Sequence, residues 1–323
     1  MVKPSVLVTR RWPAAVEAQL AETDNTVLNT GDKPMSPAEI RHALKSYDAG
    51  LPTVTDTLSS EALDVPGAQT KILANYGVGY SHICEPSARG LGMTVTNTPD
   101  VLSECTADIA MTLLLMVARR AGEGERELRA GNWTGWRPTH LIGTKVSGKV
   151  LGIVGYGRIG QEMARRAHHG FGMQIVVYNR SKIAPEVLAQ CNATQVETVD
   201  DLLPQCDFVS LHCPGGAANR HMINARRLDL MKPDAFLINT ARGEVIDERA
   251  LIQSLTFDMI GGAALDVFEG EPRINPDLLQ CDNLVMLPHL GSATREAREA
   301  MGFRVLDNLS DFFEGREPRD RVI

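Results

Sequence analysis

Apolar positions along the chain fall in short runs separated by polar or helically patterned stretches, the signature of a parallel α/β protein. Ser5 to Thr9, Gly50 to Thr55, Thr70 to Asn75 and Met93 to Asn97 are such runs in the N-terminal third. Pro99-Asp100 then opens a helical pattern through Leu102, Ile109, Leu113, Leu114 and Val117 that ends near Arg119-Arg120. A second helix is expected over Glu123 to Arg129. Gly131 to Gly148, with Trp133, Trp136 and Pro138, reads as an irregular excursion. Strand signals follow at Val150 to Val154, Gln174 to Tyr178, Phe208 to His212, Ala235 to Asn239, Gly261 to Leu265 and Leu284 to Leu287. Helical segments such as Arg226 to Met231 and Glu248 to Ser254 separate the later ones, which predicts a doubly wound sheet of about six strands. A last helix, Thr294 to Glu314, lies beyond the final strand, and its pattern does not say which part of the chain it packs on.

Lys149 to Gln161, KVLGIVGYGRIGQ, joins a strand, a glycine turn and a helix start in one run. Gly155, Gly157 and Gly160 have the G-x-G-x-x-G spacing, and Ile159, Met163, Ala164 and Ala167 continue it at helical period. One glycine makes the tight turn, one lets the backbone approach a pyrophosphate, and one lets the helix pack close on the strand. The helix start then offers unpaired N–H groups and a partial positive charge to phosphate. This turn usually opens a nucleotide fold, yet here about 145 residues precede it, enough for a separate domain.

Composition narrows the class. In 323 residues, 43% are hydrophobic and 23% charged, and the net charge of -7 argues against a nucleic-acid surface. Met1 to Arg10 runs straight into SVLVT without the apolar core of a signal peptide. The apolar stretch Ile109 to Ala118 is too short to span a bilayer. Cys84, Cys105, Cys191, Cys206, Cys213 and Cys281 show no metal-ligand spacing, so reduced thiols in a cytoplasmic protein without a metal are expected.

An NAD site places an acidic residue about 20 positions beyond the glycines to hold the ribose hydroxyls. Here the second strand ends in Asn179, Arg180 and Ser181, with no carboxylate. A carboxylate there would repel the 2′-phosphate of NADP, whereas arginine forks onto phosphate oxygens. The segment favours NADP(H), with NAD(H) as the alternative.

Reduction of a carbonyl beside a carboxylate needs a cation for the carboxylate, an acid for the developing alkoxide, and a group that tunes the acid. Arg242 in NTARGEVID, Glu271 in LDVFEGEP and His289 in LPHLGSAT follow strand signals, where open α/β sheets bind ligands. Histidine is the natural acid near neutral pH, and a neighbouring glutamate favours its charged form. Singly, each also fits a structural role.

Together, VGYGRIGQ, the LHCP turn at Leu211 to Pro214, INTARGEVID, ALDVFEGEP and PHLGSAT make the chain resemble the D-isomer-specific 2-hydroxyacid dehydrogenases over essentially its whole length. The resemblance implies an α/β fold of two domains, with a Rossmann doubly wound parallel sheet inserted in a flavodoxin-like substrate domain. Residues 1–100 and 291–323 would form the substrate domain and 101–290 the dinucleotide domain, with a dimerisation segment near 101–148 and the catalytic cleft between the two. It implies that Arg242 binds substrate, that His289 is the acid/base and that Glu271 hydrogen-bonds it. It adds Thr106, Arg158, Ile159, His212, Pro214, Thr240, Ala241 and Gly291 to the cofactor residues, and Asp266 as the residue that holds the nicotinamide carboxamide. The loop NYGVGYSH (Asn75 to His82) matches the substrate loop, whose N–H groups at Val78 and Gly79 would hold the carboxylate, a role that suits successive exposed amides. Ser81 departs from the aspartate common there.

Within the family, the glyoxylate and hydroxypyruvate reductases fit best, through Asn179-Arg180-Ser181, GSATREAREAM and GNWTGWRP. Pocket size would depend on Val54, Tyr76 and Trp136. In relatives the matching tryptophan enters the partner subunit's site, and simple packing at a dimer contact is the other reading of Trp136; both imply a homodimer. The competing readings are an NAD-dependent phosphoglycerate or D-lactate-type dehydrogenase and, from another class, a corepressor-like protein that senses dinucleotide. Formate dehydrogenases lack the glutamate that Glu271 supplies.

Overall fold

The computed structural model describes residues 3–23 and 25–323; Met1 and Val2, at the head of the N-terminal run, and Asp24 lie outside the described residues. Contacts divide the chain into two compact units, Met1–Leu102 with Ala293–Ile323, and Ser103–Ser292.

The first unit is built on β1 (Ser5–Val8), β2 (Asn25–Leu28), β3 (Ala49–Leu51), β4 (Ile72–Ala74) and β5 (Thr94–Thr96). They lie in the order β2-β1-β3-β4-β5, with every pair parallel. Val6, Val8, Ile72, Ala74 and Val95 are fully buried, as expected of a parallel sheet covered on both faces. The helix Pro37–Ser46 begins where Ser36 and Glu39 form a reciprocal capping box and Pro37 presets the first turn. The last helix, Arg295–Phe313, packs on β4 and on the helix Ala14–Thr23, which settles the placement its own pattern left open. Gly302 makes that crossing close, since a Cβ there would come within 2.6 Å of Val16. Beyond it, Asp320 takes a fork from Arg304 and a 2.9 Å bond from Asn308, and Thr96 and Arg321 form an antiparallel bridge.

The second unit carries β6 (Val150–Val154), β7 (Gln174–Tyr178), β8 (Thr194–Val196), β9 (Phe208–Leu211), β10 (Phe236–Asn239), β11 (Gly262–Leu265) and β12 (Leu284–Met286). Their order, β12-β11-β10-β9-β6-β7-β8, reverses direction at β6, the switch point of a doubly wound sheet. The sheet has seven strands rather than about six. The extra strand, β8, is an edge whose residues are exposed or half-buried, so it lacks an apolar run to announce it. β2 escapes notice in the first unit for the same reason. Two hydrophobic clusters line the faces, one with Leu202, Leu237 and Leu251, the other with Leu113, Ile153 and Phe208. The helix Ser103–Ala118 is mostly buried, whereas Ala121–Arg129 buries no residue at all. Among the described residues no helix is long and apolar enough to cross a membrane.

Candidate active site

The glycine turn at the end of β6 is forced by packing at two of its three positions. Gly155 has φ +94, and a Cβ on it would sit 2.7 Å from the backbone of His212 and Cys213. At Gly160 a Cβ would lie 2.3 Å from the Gly155 carbonyl oxygen. Gly157 differs: it is the N-cap of the helix Arg158–Arg165, and among the described residues no side chain caps that helix and nothing lies within 4 Å of its Cβ position. A side chain would fill this space, so the turn fits a dinucleotide pyrophosphate laid on the helix start.

Asn179, at the end of β7, is tied into the turn. Its Oδ1 accepts from Tyr156 N–H at 3.2 Å, and its Nδ2 donates to Ser181. Arg180 is exposed and makes no hydrogen bond or ion pair among the described residues. His212, after β9, is half-buried, with Nε2 2.9 Å from Ser210 Oγ and Nδ1 buried without a partner among the described residues. Burial pushes its pKa down to about 4, so it is neutral at pH 7. Pro214 begins a loop in which Glu244 Oε1 accepts from Gly216 N–H.

β10 delivers Thr240, Ala241 and Arg242. The fully buried Asn239 shapes this turn by accepting from Ala241 N–H and donating to the Arg242 carbonyl, both at 2.9 Å. Thr240 Oγ1 is buried without a partner among the described residues, the kind of atom a ligand satisfies. Burial works against the charge of Arg242, lowering its pKa, while Glu271 and Glu244 favour that charge. Arginine remains protonated even so.

His289 follows β12 and meets Glu271 directly, Nδ1 to Oε2 at 2.8 Å. Glu271 Oε1 accepts from Phe268 N–H at 2.8 Å. Burial acts to raise the Glu271 pKa, but the hydrogen bond and charge of His289, with the Phe268 amide and Arg242, hold it below the ordinary carboxylate range. His289 sits at φ +55, a strained conformation for a side chain of its size. Asp266, after β11 and 1% exposed, brackets it: its carboxylate accepts from Leu290 and Gly291 N–H at 2.7 and 2.8 Å. Burial raises the Asp266 pKa, against the pull of those two amides. Thr106 Oγ1 closes the bracket by donating to the Gly291 carbonyl at 3.1 Å.

Arg242, Glu271 and His289 thus form one electrostatic cluster at strand ends of the second unit. An open cavity of about 910 Å³ beside it, lined by Arg220, His221, Glu248, Glu269 and Arg273 among others, touches the cluster only through Glu271. In the first unit, Val54 is 36% exposed, and Val78 and Gly79 are half-buried. Tyr76 is inside the unit, its ring 4.5 Å from Trp12 and its hydroxyl donating to the Arg298 carbonyl. Trp136 is 82% exposed. Asn239 and Glu244 were missed by sequence reasoning; only their place at the end of a buried strand, or soon after it, hinted at them.

A model of the D-isomer specific 2-hydroxyacid dehydrogenase NAD binding domain matches residues 111–291. A glyoxylate reductase of Thermococcus litoralis is 42% identical over 99% of this chain and 97% of its own. The chain belongs to the D-isomer-specific 2-hydroxyacid dehydrogenase family. A glycerate dehydrogenase of Hyphomicrobium methylovorum is 34% identical over 98% of both chains. The crystal structure of an NADPH-dependent glyoxylate/hydroxypyruvate reductase of Sinorhizobium meliloti, in complex with NADP and malonate, superposes with a TM-score of 0.87. It is 33% identical and covers 99% of this chain and 97% of its own. The family expected from the glycine turn and the three strand-end residues is therefore the one found.

His212 of this dehydrogenase gives its stability a pH dependence of known sign. Its native pKa of about 4 lies below the ordinary 6.5, so between those values the unfolded chain binds a proton that the native state does not. Stability falls as pH drops through that window, by about 3 kcal/mol for this group alone. Urea unfolding at pH 6.5 and 4.5 should show a steeper loss for the wild type than for His212→Asn. Equal losses would refute the assignment.

Proposed function

We propose that this dehydrogenase is an NADPH-preferring reductase of small 2-keto acids, taking glyoxylate to glycolate and hydroxypyruvate to D-glycerate. The observation that carries the reading is the 2.8 Å contact of His289 with Glu271, in one cluster with Arg242. Bound NADPH would supply the hydride. Arg242 would hold the substrate carboxylate and polarise the carbonyl, as its forked donors suit. His289 would hold the proton that the oxygen receives, and Glu271 would keep the imidazole oriented through its contact with Nδ1. The names of the curated relatives, glyoxylate reductase and glycerate dehydrogenase, support both substrates.

NADPH preference rests on Arg180, whose uncommitted guanidinium follows Asn179, the position where an NAD site would carry an acid. Gly155, Gly157, Arg158, Ile159, Gly160, Asn179 and Ser181 would line the phosphate and ribose side. His212, Pro214, Thr240, Ala241, Asp266, Gly291 and Thr106 would line the nicotinamide side. Steady-state assays should give a higher kcat/KM with NADPH than with NADH. Arg180→Asp should lower the NADPH value at least about tenfold while leaving NADH nearly untouched, by repulsion and loss of a charged hydrogen bond. A preference for NADH in the wild type would assign the enzyme to the NAD-dependent dehydrogenases instead.

His289→Ala should reduce kcat by about a hundredfold or more, the usual worth of a positioned acid. An unchanged kcat would remove His289 as the proton donor.

A homodimer accounts for the segment after the helix Ser103–Ala118. Leu128, Trp133, Trp136 and Ile142 are 61%, 52%, 82% and 65% exposed, an apolar set that a second copy would cover. Sedimentation equilibrium should return twice the 35.2 kDa chain mass, and Trp136→Ser with Ile142→Ser should shift it toward that of the single chain. A wild-type mass of one chain would end this assignment.

A further inference from the structure

The substrate-loop residues Val78 and Gly79 lie just beyond β4, and what holds their amides has no sequence motif. Asn75 is fully buried, and its Nδ2 donates to the Gly77 carbonyl at 2.9 Å and to the Gly79 carbonyl at 3.2 Å. Asn97, just beyond β5, donates its Nδ2 to the carbonyl between them, Val78, at 2.9 Å. Thr98 N–H adds a second bond to the Gly77 carbonyl at 3.1 Å. The carbonyl partners fix which end of each amide is nitrogen.

A trans peptide sets its C=O and the following N–H on opposite sides of the chain. Holding the Gly77 and Val78 carbonyls therefore turns the Val78 and Gly79 N–H groups away from the amides that grip them. Neither N–H donates to a protein acceptor among the described residues. Among the described residues Asn75 Oδ1 is left buried without a partner, so this residue is placed for its two donors rather than for its own full hydrogen bonding. Asn97 is itself anchored: its N–H donates to the Asp320 carbonyl, and Asn308 Nδ2 reaches its carbonyl. Asp320 is held in turn by Asn308 and Arg304.

We infer that Asn75 and Asn97 are positioning residues for substrate binding: their amides grip three successive carbonyls and so present the Val78 and Gly79 N–H groups to the substrate carboxylate. The inference rests on the 2-keto acid reading above. It predicts a loss of carboxylate affinity without loss of the chemical step, because neither asparagine reaches the reacting atoms.

Asn97→Leu keeps the side chain's branched shape and removes its donor without adding charge. At saturating NADPH, KM for glyoxylate and the inhibition constant of oxalate should rise together about tenfold or more, while kcat stays within about threefold and KM for NADPH does not change. Asn97→Ser, a smaller polar replacement, should follow the same direction, and melting curves check that each variant is folded. Unchanged KM and oxalate inhibition in a folded variant overturn the inference and leave the proposed function standing. Equal falls in kcat and in the efficiency with NADPH also overturn it, since they mark general damage. A wild type that binds oxalate by calorimetry, loses it on Asn97→Leu, and reduces neither keto acid would uphold the inference and sink the proposed substrates.

Discussion

Backbone must touch backbone at the carboxyl ends of the second unit's strands, and this constraint shapes the rest of the candidate site. A Cβ at Gly243 would lie 1.9 Å from the Phe268 carbonyl carbon, and one at Gly155 would lie 2.7 Å from His212 and Cys213. Gly215 instead makes room for side chains, with Glu244 Oε1 2.6 Å and Arg242 Cγ 2.9 Å from its Cβ position. These approaches bring the loop bearing Arg242 against the segment bearing Glu271, and the glycine turn against the loop of His212. Larger residues would force the loops apart by more than a close-packed interior absorbs. The side-chain chemistry is arranged on contacts that only glycine permits.

Electrostatics then works on that frame in two ways. Glu271 is held ionised by His289, an amide and Arg242, so the imidazole faces a carboxylate that keeps its charge near neutral pH. His212 is instead driven neutral by enclosure alone. Two histidines on one sheet thus have different environments: one pairs with a carboxylate, and the other rests against a serine hydroxyl. Burial holds the second neutral near pH 7, while the first has a carboxylate partner within hydrogen-bond reach.

How much of this was legible in the chain follows from which signals are local. Central strands such as β6, β9 and β10 are buried on both faces, so their apolar runs mark them; the edges β2 and β8 are half-solvated and pass unnoticed. The glycine spacing and the candidates Arg242, Glu271 and His289 stand in recognisable words. What stayed hidden depends on pairs distant in sequence. Asp266 grips residues some two dozen positions away, at Leu290 and Gly291. Asn97 supports Val78 from the neighbouring strand, and Asn308 supports Asn97 from the chain's last helix. A buried asparagine after a strand looks the same in sequence whether it supports a site or merely closes a turn. The partner of Glu271 could be guessed from a family; the partners of Asn75 could not.

The two units also use one physical device with opposite polarity. Asp266 is an acceptor, so it consumes backbone N–H groups; the loop after β12 has its amides bound and offers a side chain, His289. Asn75 and Asn97 act as donors, so they consume backbone carbonyls; the loop after β4 has its oxygens bound and retains N–H groups to offer. A buried carboxylate in the place of either amide would lack the hydrogens to hold those carbonyls and would set like partial charges face to face. The choice between aspartate and asparagine beneath a loop therefore decides whether that loop can receive an anion. On the inference drawn above, a carboxylate on the loop after β4 would depend as much on two amide side chains as on the backbone N–H groups they turn outward.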